Sequence, residues 1–331
     1  MTQKRKTVYD KLEQKVMDSP KISEKDKKEL LRAIAEAKNE KLNILITGPT
    51  GCGKSSTINA LFETEVAKVG VGVDPETMDI EKYDLGNMVL WDSPGLGDGK
   101  EADNRHAKNI IAKLYEKDEN GKALIDLVLV ILDGSSRDLG TSYQLINEVI
   151  IPNLGPNAQD RILVAINQAD VAMKGRFWDY EANKPLPKLE SFLKEKAASV
   201  KKRILEATGV EIEPIYYSAG FKEPGEPQQP PYNLSKLLYY IVKATPESKR
   251  GIYADKVNHN PEMWKDDDGI RQYREETRKS VAQSVVNTIR NTYAGYKAGA
   301  AIGGAIAGPI GAAIGGAIGG TVAFVSSLFD W

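Results

Sequence analysis

The sequence predicts an α/β protein: a mostly parallel sheet with helices on both faces, preceded by N-terminal helices and followed by a helical tail. Two observations carry that expectation. Short apolar runs alternate with helical segments from residue 41 to residue 247, and one run, Ala123 to Asp133 (ALIDLVLVILD), is almost continuously apolar. A strand covered on both faces reads as such a run, and strands alternating with helices favour parallel pairing.

The elements follow in order. Residues 7 to 38 read as two helices, with apolar stripes at Val8, Leu12 and Val16 and at Leu30, Leu31, Ile34 and Ala35. Ser19-Pro20 separates them, and Ser23 with Asp26 three residues on resembles a capping box. Leu42 to Thr47 is the first strand, followed by a glycine-rich turn and a helix over Ser55 to Phe62. Residues 79–85 and 88–92 flank Gly86-Asn87, a turn dipeptide that predicts a hairpin. Arg161 to Asn167 is another buried strand, and helices are expected at about 103–117, 140–150 and 188–207. A strand over Ile212 to Tyr217 and a helix over Asn233 to Ala244 close the unit. Residues 222–231 form a proline-rich loop, residues 246–268 a linker, and Ile270 to Lys297 a long helix. The expected division is therefore a helical segment at 1–40, a domain at 41–247, a linker and amphipathic helix at 248–297, and an apolar Gly/Ala-rich tail at 298–331.

Composition excludes several classes. A chain of 331 residues with 41% apolar and 27% charged residues can bury a sizeable core. A net charge of −1 does not favour a nucleic-acid partner. One cysteine excludes an intramolecular disulfide, and one cysteine with two histidines cannot make a conventional zinc site. The charged start, Met1 to Lys6, leads into no apolar core, so no secretory signal is expected.

The chemistry concentrates at Gly48-Pro-Thr-Gly-Cys-Gly-Lys-Ser55, which matches G-x-x-x-x-G-K-[ST] between an apolar strand and a helix. Gly48, Gly51 and Gly53 let backbone N–H groups wrap phosphates, and the helix N-terminus adds partial positive charge. Lys54 is placed to reach the β- and γ-phosphates, the Ser55 hydroxyl to ligate Mg²⁺, and Ser56 follows in the first helical turn. Cys52 occupies a position where only the backbone matters.

Three further segments choose the base. Asp92-Ser-Pro-Gly95 follows a strand and resembles the D-x-x-G motif. Asn167-Gln-Ala-Asp170 follows another and resembles N-K-x-D, and Ser218-Ala219 resembles the serine-alanine element that backs the base. With these motifs, residues 41–247 resemble a Ras-like P-loop GTPase of the translation-factor-related class. They are similar to bacterial Era/Obg-like GTPases and also to septin-like and immunity-related ones. The resemblance implies a G domain that binds GTP or GDP with Mg²⁺ and hydrolyses GTP. Asp92 would hold Mg²⁺ through water, the Gly95 N–H would sense the γ-phosphate, and Asp170 would accept from guanine N1–H and its 2-amino group. Adenine lacks that donor pair, so a buried carboxylate there rejects it. Switch I needs a threonine on Mg²⁺ and the γ-phosphate; of Thr57, Thr64 and Thr77, Thr77 has the expected position just before the hairpin.

Departures from the family pattern shape the expected activity. Gln168 replaces a lysine whose stem packs on guanine, so its amide is expected to stack there with weaker affinity. Leu96 stands where relatives place a water-orienting glutamine, so intrinsic hydrolysis should be slow. His106 is read as a partly exposed helix residue rather than a base.

The tail is unlike the rest. Ala298 to Phe329 carries no charge; Gly295, Gly299 and Gly303, then Gly311, Gly315 and Gly319, recur four apart beside a row of isoleucines from Ile302 to Ile318. The pattern resembles the glycine zipper of membrane helices. Glycine costs a helix roughly 1 kcal/mol relative to alanine, so close packing in lipid or against protein must compensate. Arg278, Lys279, Arg290 and Lys297 precede it, which favours a cytoplasmic flank against anionic headgroups. The expected partners are a guanine nucleotide, an anionic membrane on the cytoplasmic side of the inner membrane, and a second copy through the tail or G domain. Two rivals stand beside a membrane switch: an RNA- or ribosome-associated Era-like GTPase, and a GTP-dependent assembly protein.

Overall fold

The computed structural model describes residues 6–20, 22–62, 80–97, 99–221, 229–265, 267–269, 271–294, 318–329 and 331. The chain divides into two compact units. One comprises Leu42–Thr245 and Asn260–Arg274; the other comprises Met1–Lys41, Pro246–His259 and Glu275–Trp331.

The first unit is the α/β body. Its sheet has six strands in the order β2-β3-β1-β4-β5-β8, with only β2 antiparallel to its neighbour. β1 (Leu42–Thr47) is buried along its whole length, as is β4 (Leu127–Asp133) except for Asp133. Both lie inside the sheet, which is why their sequences show no polar alternation. β2 (Glu81–Asp84) and β3 (Met88–Asp92) form the hairpin around Gly86-Asn87. The edge strand β2 is short and charged, features that discourage pairing with another chain.

Helices α3 (Lys54–Leu61), α4 (Lys100–Tyr115), α5 (Gly140–Gln144), α6 (Pro187–Thr208) and α7 (Leu234–Ala244) complete the body. α6 starts with proline in its first turn, where a missing N–H costs nothing, and stops at Gly209 in the left-handed conformation. α5 continues as a π-helical turn over Leu145–Ile150 and a 3₁₀ turn containing Pro152, where the expected helix was uninterrupted. The apolar core joins β1, β4 and β5 (Ile162–Asn167) to α4 and α6 through residues such as Leu45, Ile110, Val130, Val164 and Leu193.

Three features were not anticipated. β8 is only Ile215–Tyr216, because the chain turns at once to pair Ser218 with Tyr232. A two-residue hairpin, β6 (Trp178–Asp179) with β7 (Lys184–Pro185), precedes α6; Asn183 beside it donates to the carbonyls of Pro230 and Pro231. Residues 246–268, read from sequence as a linker, contain 3₁₀ helices at Glu247–Asp255 and Pro261–Trp264 and bury Ile252, Tyr253, Val257 and Trp264.

The second unit is helical. α1 (Val8–Asp18) buries Val8, Tyr9 and Val16; α2 (Glu24–Asn39) buries Leu30, Ala33, Ile34 and Ala37. The α2 stripe thus runs through Ala33 and Ala37, and Ala35 is exposed. A reciprocal capping box starts α1, between Thr7 and Asp10, whereas Ser23 caps α2 by accepting from the Asp26 N–H. α8 (Tyr273–Ala294) and α9 (Ile318–Ser327) follow. Val8 N–H donates to Asp255, Ser284 accepts from Gly251 N–H, and the chain end packs in with Phe329 and Trp331 buried. Arg278 on α8 donates to the carbonyls of Ser326 and Trp331, Lys11 to that of Leu328, and the Trp331 indole to that of Ala254. Most of the glycine-rich stretch, and Thr77, lie outside the described residues. Among the described residues no helix is long and apolar enough to cross a membrane.

Asp10 is the polar hinge-pin of α1. Its carboxylate accepts from Thr7 N–H at 2.8 Å and from Lys38 at 2.6 Å, and the lysine hydrogen bond holds its pKa down at about 2. A depressed carboxylate stabilises the folded form above its unfolded pKa, and that contribution disappears as pH falls through the folded value. Asp10→Asn should therefore cost about 0.5–1 kcal/mol at neutral pH, allowing for solvent screening of a partly exposed group. Denaturant melts should show the gap between wild type and variant closing between about pH 4 and pH 2; a pH-independent gap contradicts the assignment.

Candidate functional site

The site forms where the parallel strands end. β1 leads into the loop Gly48–Gly53, and α3 begins at Lys54 with Gly53 as a left-handed N-cap (φ 86°, ψ 33°). A side chain at Gly53 would lie 2.3 Å from the Asn167 amide nitrogen, and one at Gly48 would lie 2.0 Å from the Ile131 carbonyl oxygen. Only glycine allows these approaches, so the loop is pressed against the ends of β4 and β5. Lys54 reaches back over the loop and donates to the Gly48 carbonyl at 3.0 Å and the Pro49 carbonyl at 3.4 Å. Ser55 and Ser56 are half-buried in the first turn of α3. Cys52 is fully buried and burial pushes its thiol up to about 11, so it is unsuited to nucleophilic chemistry.

Asp92 ends β3, beside the loop strand. Its Oδ1 is buried and has no hydrogen-bond partner. Burial raises its pKa to about 6, opposed by the charge of Lys54 and reinforced by Glu81. An orphaned buried carboxylate oxygen is costly and is what a hard cation with oxygen ligands would satisfy. Among the described residues no cluster of three or more His, Cys, Asp or Glu could hold a metal by itself. The single buried carboxylate oxygen of Asp92 fits Mg²⁺, which takes one or two protein oxygens and completes its shell with phosphate and water.

The base side is organised by Asn167, at the end of β5. Its amide nitrogen donates to the Cys52 carbonyl at 2.8 Å, its amide oxygen accepts from Ala219 N–H at 3.0 Å, and its backbone carbonyl accepts from Gly134 N–H at 2.7 Å. One side chain therefore ties the phosphate loop to the Ser218-Ala219 turn. Asp170 and Ser218 are buried, and Ala169 N–H donates to the Tyr217 carbonyl. Gln168 adopts a left-handed backbone (φ 62°) and donates its amide to the Gly51 carbonyl at 2.7 Å. Its amide thus also braces the phosphate loop.

Several contributors had no signal in the sequence. Lys196, from α6, donates to the carbonyls of Gly134 at 2.7 Å and Ser136 at 2.6 Å, and burial pulls its pKa down. Tyr217 is buried with its hydroxyl 2.6 Å from Thr57 Oγ1, joining α3 to the strand behind the base loop. Asn233 fixes that loop by donating to the Tyr216 carbonyl. His106 is buried, contrary to the expectation of partial exposure, with Nδ1 2.9 Å from the Gly95 carbonyl oxygen. Leu96 is buried as well.

Residues 43–168 match the family described as 50S ribosome-binding GTPase. Among curated relatives, mouse Interferon-inducible GTPase 1 is 36% identical over 92 residues, covering 26% of this chain and 22% of the relative. The uncharacterized protein YfjP of Escherichia coli K12 is 33% identical over 131 residues, covering 38% of this chain and 41% of the relative. The matched parts thus span less than half the length of either relative. Toc33 of Arabidopsis thaliana, solved with GDP and Mg²⁺, aligns over 66% of this chain and 87% of its own at 15% identity and a TM-score of 0.41. Residues 43–168 are thus similar to GTP-binding GTPase domains.

Removing the Asn167 side chain breaks two buried hydrogen bonds at once. Asn167→Ala should cost roughly 1–3 kcal/mol of stability and, by loosening the phosphate loop from the base turn, lower affinity for GDP and GTP together. Calorimetry alongside a thermal melt checks this; unchanged GDP affinity in a folded variant would rule out the tie.

Proposed function

We propose that the protein is a GTP-hydrolysing molecular switch whose apolar C-terminal stretch attaches it to the cytoplasmic face of an anionic membrane. The observation that carries the nucleotide part is the pair of hydrogen bonds made by the Asn167 side chain, which brings the phosphate loop and the Ser218-Ala219 turn within one side chain's reach. In this reading the amides of Gly48, Gly51 and Gly53, with Ser56 behind them, cradle the phosphates, and Lys54 exchanges its loop carbonyls for phosphate oxygens. Ser55 and Asp92 hold Mg²⁺, joined by Thr77 from the segment before β2. When bound, Mg²⁺ neutralises charge on the β- and γ-phosphates. Asp170, with Asn167 and Gln168 beside it, reads guanine, and Ser218 and Ala219 back the base. Gly95 N–H contacts the γ-phosphate, so that GTP and GDP leave its segment in different states. With Leu96 buried, no side chain directly after Gly95 orients water, and intrinsic turnover is slow.

The base assignment has a direct test. Asp170→Asn offers an amide donor where guanine also offers donors, so GTP affinity should fall at least about 100-fold. Xanthosine triphosphate, which presents an acceptor there, should bind the variant better than it binds wild type. Loss of both nucleotides, or of neither, would place the base elsewhere.

The membrane part is supported by the charge-free stretch from 298 to 329 and by how its flanks are held. α8 on one side and residues 326–331 on the other belong to the same unit, tied by Arg278. Membrane engagement thus takes the form of a hairpin with both ends on one side, rather than a span that leaves the C-terminus across the bilayer. Ending the chain before this stretch would also remove the buried Phe329 and Trp331. The informative variant therefore replaces residues 298–317 with a glycine–serine segment of equal length. Flotation of wild type but not of this variant on anionic liposomes is expected. If neither floats, membrane attachment fails and a protein–protein zipper takes its place, read from the oligomer size. The family's description favours a second reading, association with the large ribosomal subunit; GTP-dependent co-sedimentation with purified 50S subunits would establish it.

A further inference from the structure

We propose that His106 is a positioning residue for the triphosphate: it holds the Gly95 carbonyl and thereby keeps the Gly95 amide against the phosphate loop. The Nδ1 of His106 lies 2.9 Å from that carbonyl oxygen, which can only accept, so Nδ1 carries the proton. The imidazole is 4% exposed, leaving water no ready access to compete for the bond. One turn earlier on α4, the Asp103 carboxylate accepts from Gly97 N–H at 2.7 Å. Residues three apart share a helix face, so one face of α4 grips the glycine segment on both sides of buried Leu96.

The other side of Gly95 is a wall. A Cβ there would lie 2.1 Å from the Gly48 carbonyl oxygen and 2.8 Å from Pro49 Cα. The segment cannot move closer to the loop, and moving away breaks the His106 bond and strands a buried N–H. Whatever favours contact between Gly95 N–H and a terminal phosphate is therefore reinforced by His106, which acts through Gly95 and not on the reacting atoms. This rests on the reading of Gly95 as the γ-phosphate contact.

The test titrates the full-length protein, with Mg²⁺, using fluorescent GDP and a non-hydrolysable GTP analogue. His106→Leu keeps an apolar side chain of similar reach without the donor; His106→Asn restores a donor near the Nδ1 position. His106→Leu should weaken the analogue roughly tenfold while GDP affinity stays within about twofold, and His106→Asn should recover most of the loss. Equal loss for both nucleotides, or no loss, overturns the proposal by reducing His106 to a packing residue. Gly95→Ala separates the two levels. If it shifts the ratio of analogue to GDP affinity while His106→Leu does not, only the role of His106 falls. If it leaves the ratio unchanged, the Gly95 reading falls and takes the proposal with it.

Discussion

The architecture of the nucleotide site depends on backbone meeting backbone at the ends of β1, β4 and β5. Gly48 is pressed on the Ile131 carbonyl, Gly134 donates to the Asn167 carbonyl at 2.7 Å, and a Cβ at Gly134 would lie 2.4 Å from that same oxygen. Three strands that run parallel deliver their C-terminal ends to one edge of the sheet, and ligands of open α/β sheets bind outside that edge. Contacts this close exclude side chains, so the polar groups around them must be satisfied by reach from elsewhere. Asn167 and Lys196 do this from the strand end and from α6. The glycine loop after β1 is consequently a braced surface before any ligand arrives, which reduces the ordering cost of binding.

The strands, the hairpin and the motifs were legible because each carries a local signal. β1, β4 and β5 are apolar without alternation, Gly86-Asn87 marks a turn, and the glycine loop stands between a strand and a helix. What was hidden depends on distant chain. Nothing around His106 in sequence announces that α4 brings it onto Gly95, and nothing around Lys196 announces three carbonyls from the loop after β4. The positive φ of Gln168 turns its side chain to Gly51, a contact hidden because a backbone conformation of that kind has no signature in a non-glycine residue. The shortness of β8 and the two-residue hairpin at 178–185 escape for another reason: strands of two residues have no periodicity to read.

The segment at 246–268 illustrates a different balance. Residues 246–268 are rich in polar and charged side chains, and composition alone marks them as a connector. Yet Pro246–His259 buries Ile252, Tyr253, Ala254 and Val257, and Asn260–Arg274 is held to α7 by the bonds of Ser235 to Asp267 and of Asp268 N–H to Asn233. A few well-placed apolar residues suffice for packing when backbone polar groups find side-chain partners. The same logic holds the chain end, where Arg278 lies over the Phe329 and Trp331 rings while donating to backbone carbonyls. Arginine suits this role because its planar group can stack on aromatics and still present several donors.

The position of Leu96 bears on how hydrolysis can occur at all. A residue directly after the glycine of D-x-x-G is well placed to orient water only if its side chain faces the phosphates and carries a polar group. Leu96 is apolar and 6% exposed, packed in the core with Ile110 and Leu114 of α4. It serves instead as the apolar plug between the two hydrogen bonds that α4 makes to Gly95 and Gly97. Burial of this side chain anchors the segment, and anchoring is incompatible with turning the same residue toward water. Burial of Leu96 thus holds the Gly95–Gly97 segment in a defined position. Acceleration, where it occurs, would need a polar group other than Leu96, supplied from elsewhere in the chain or by another chain. A single-turnover rate that rises steeply with protein concentration would assign that group to a second copy, whereas a rate independent of concentration would place it within the chain.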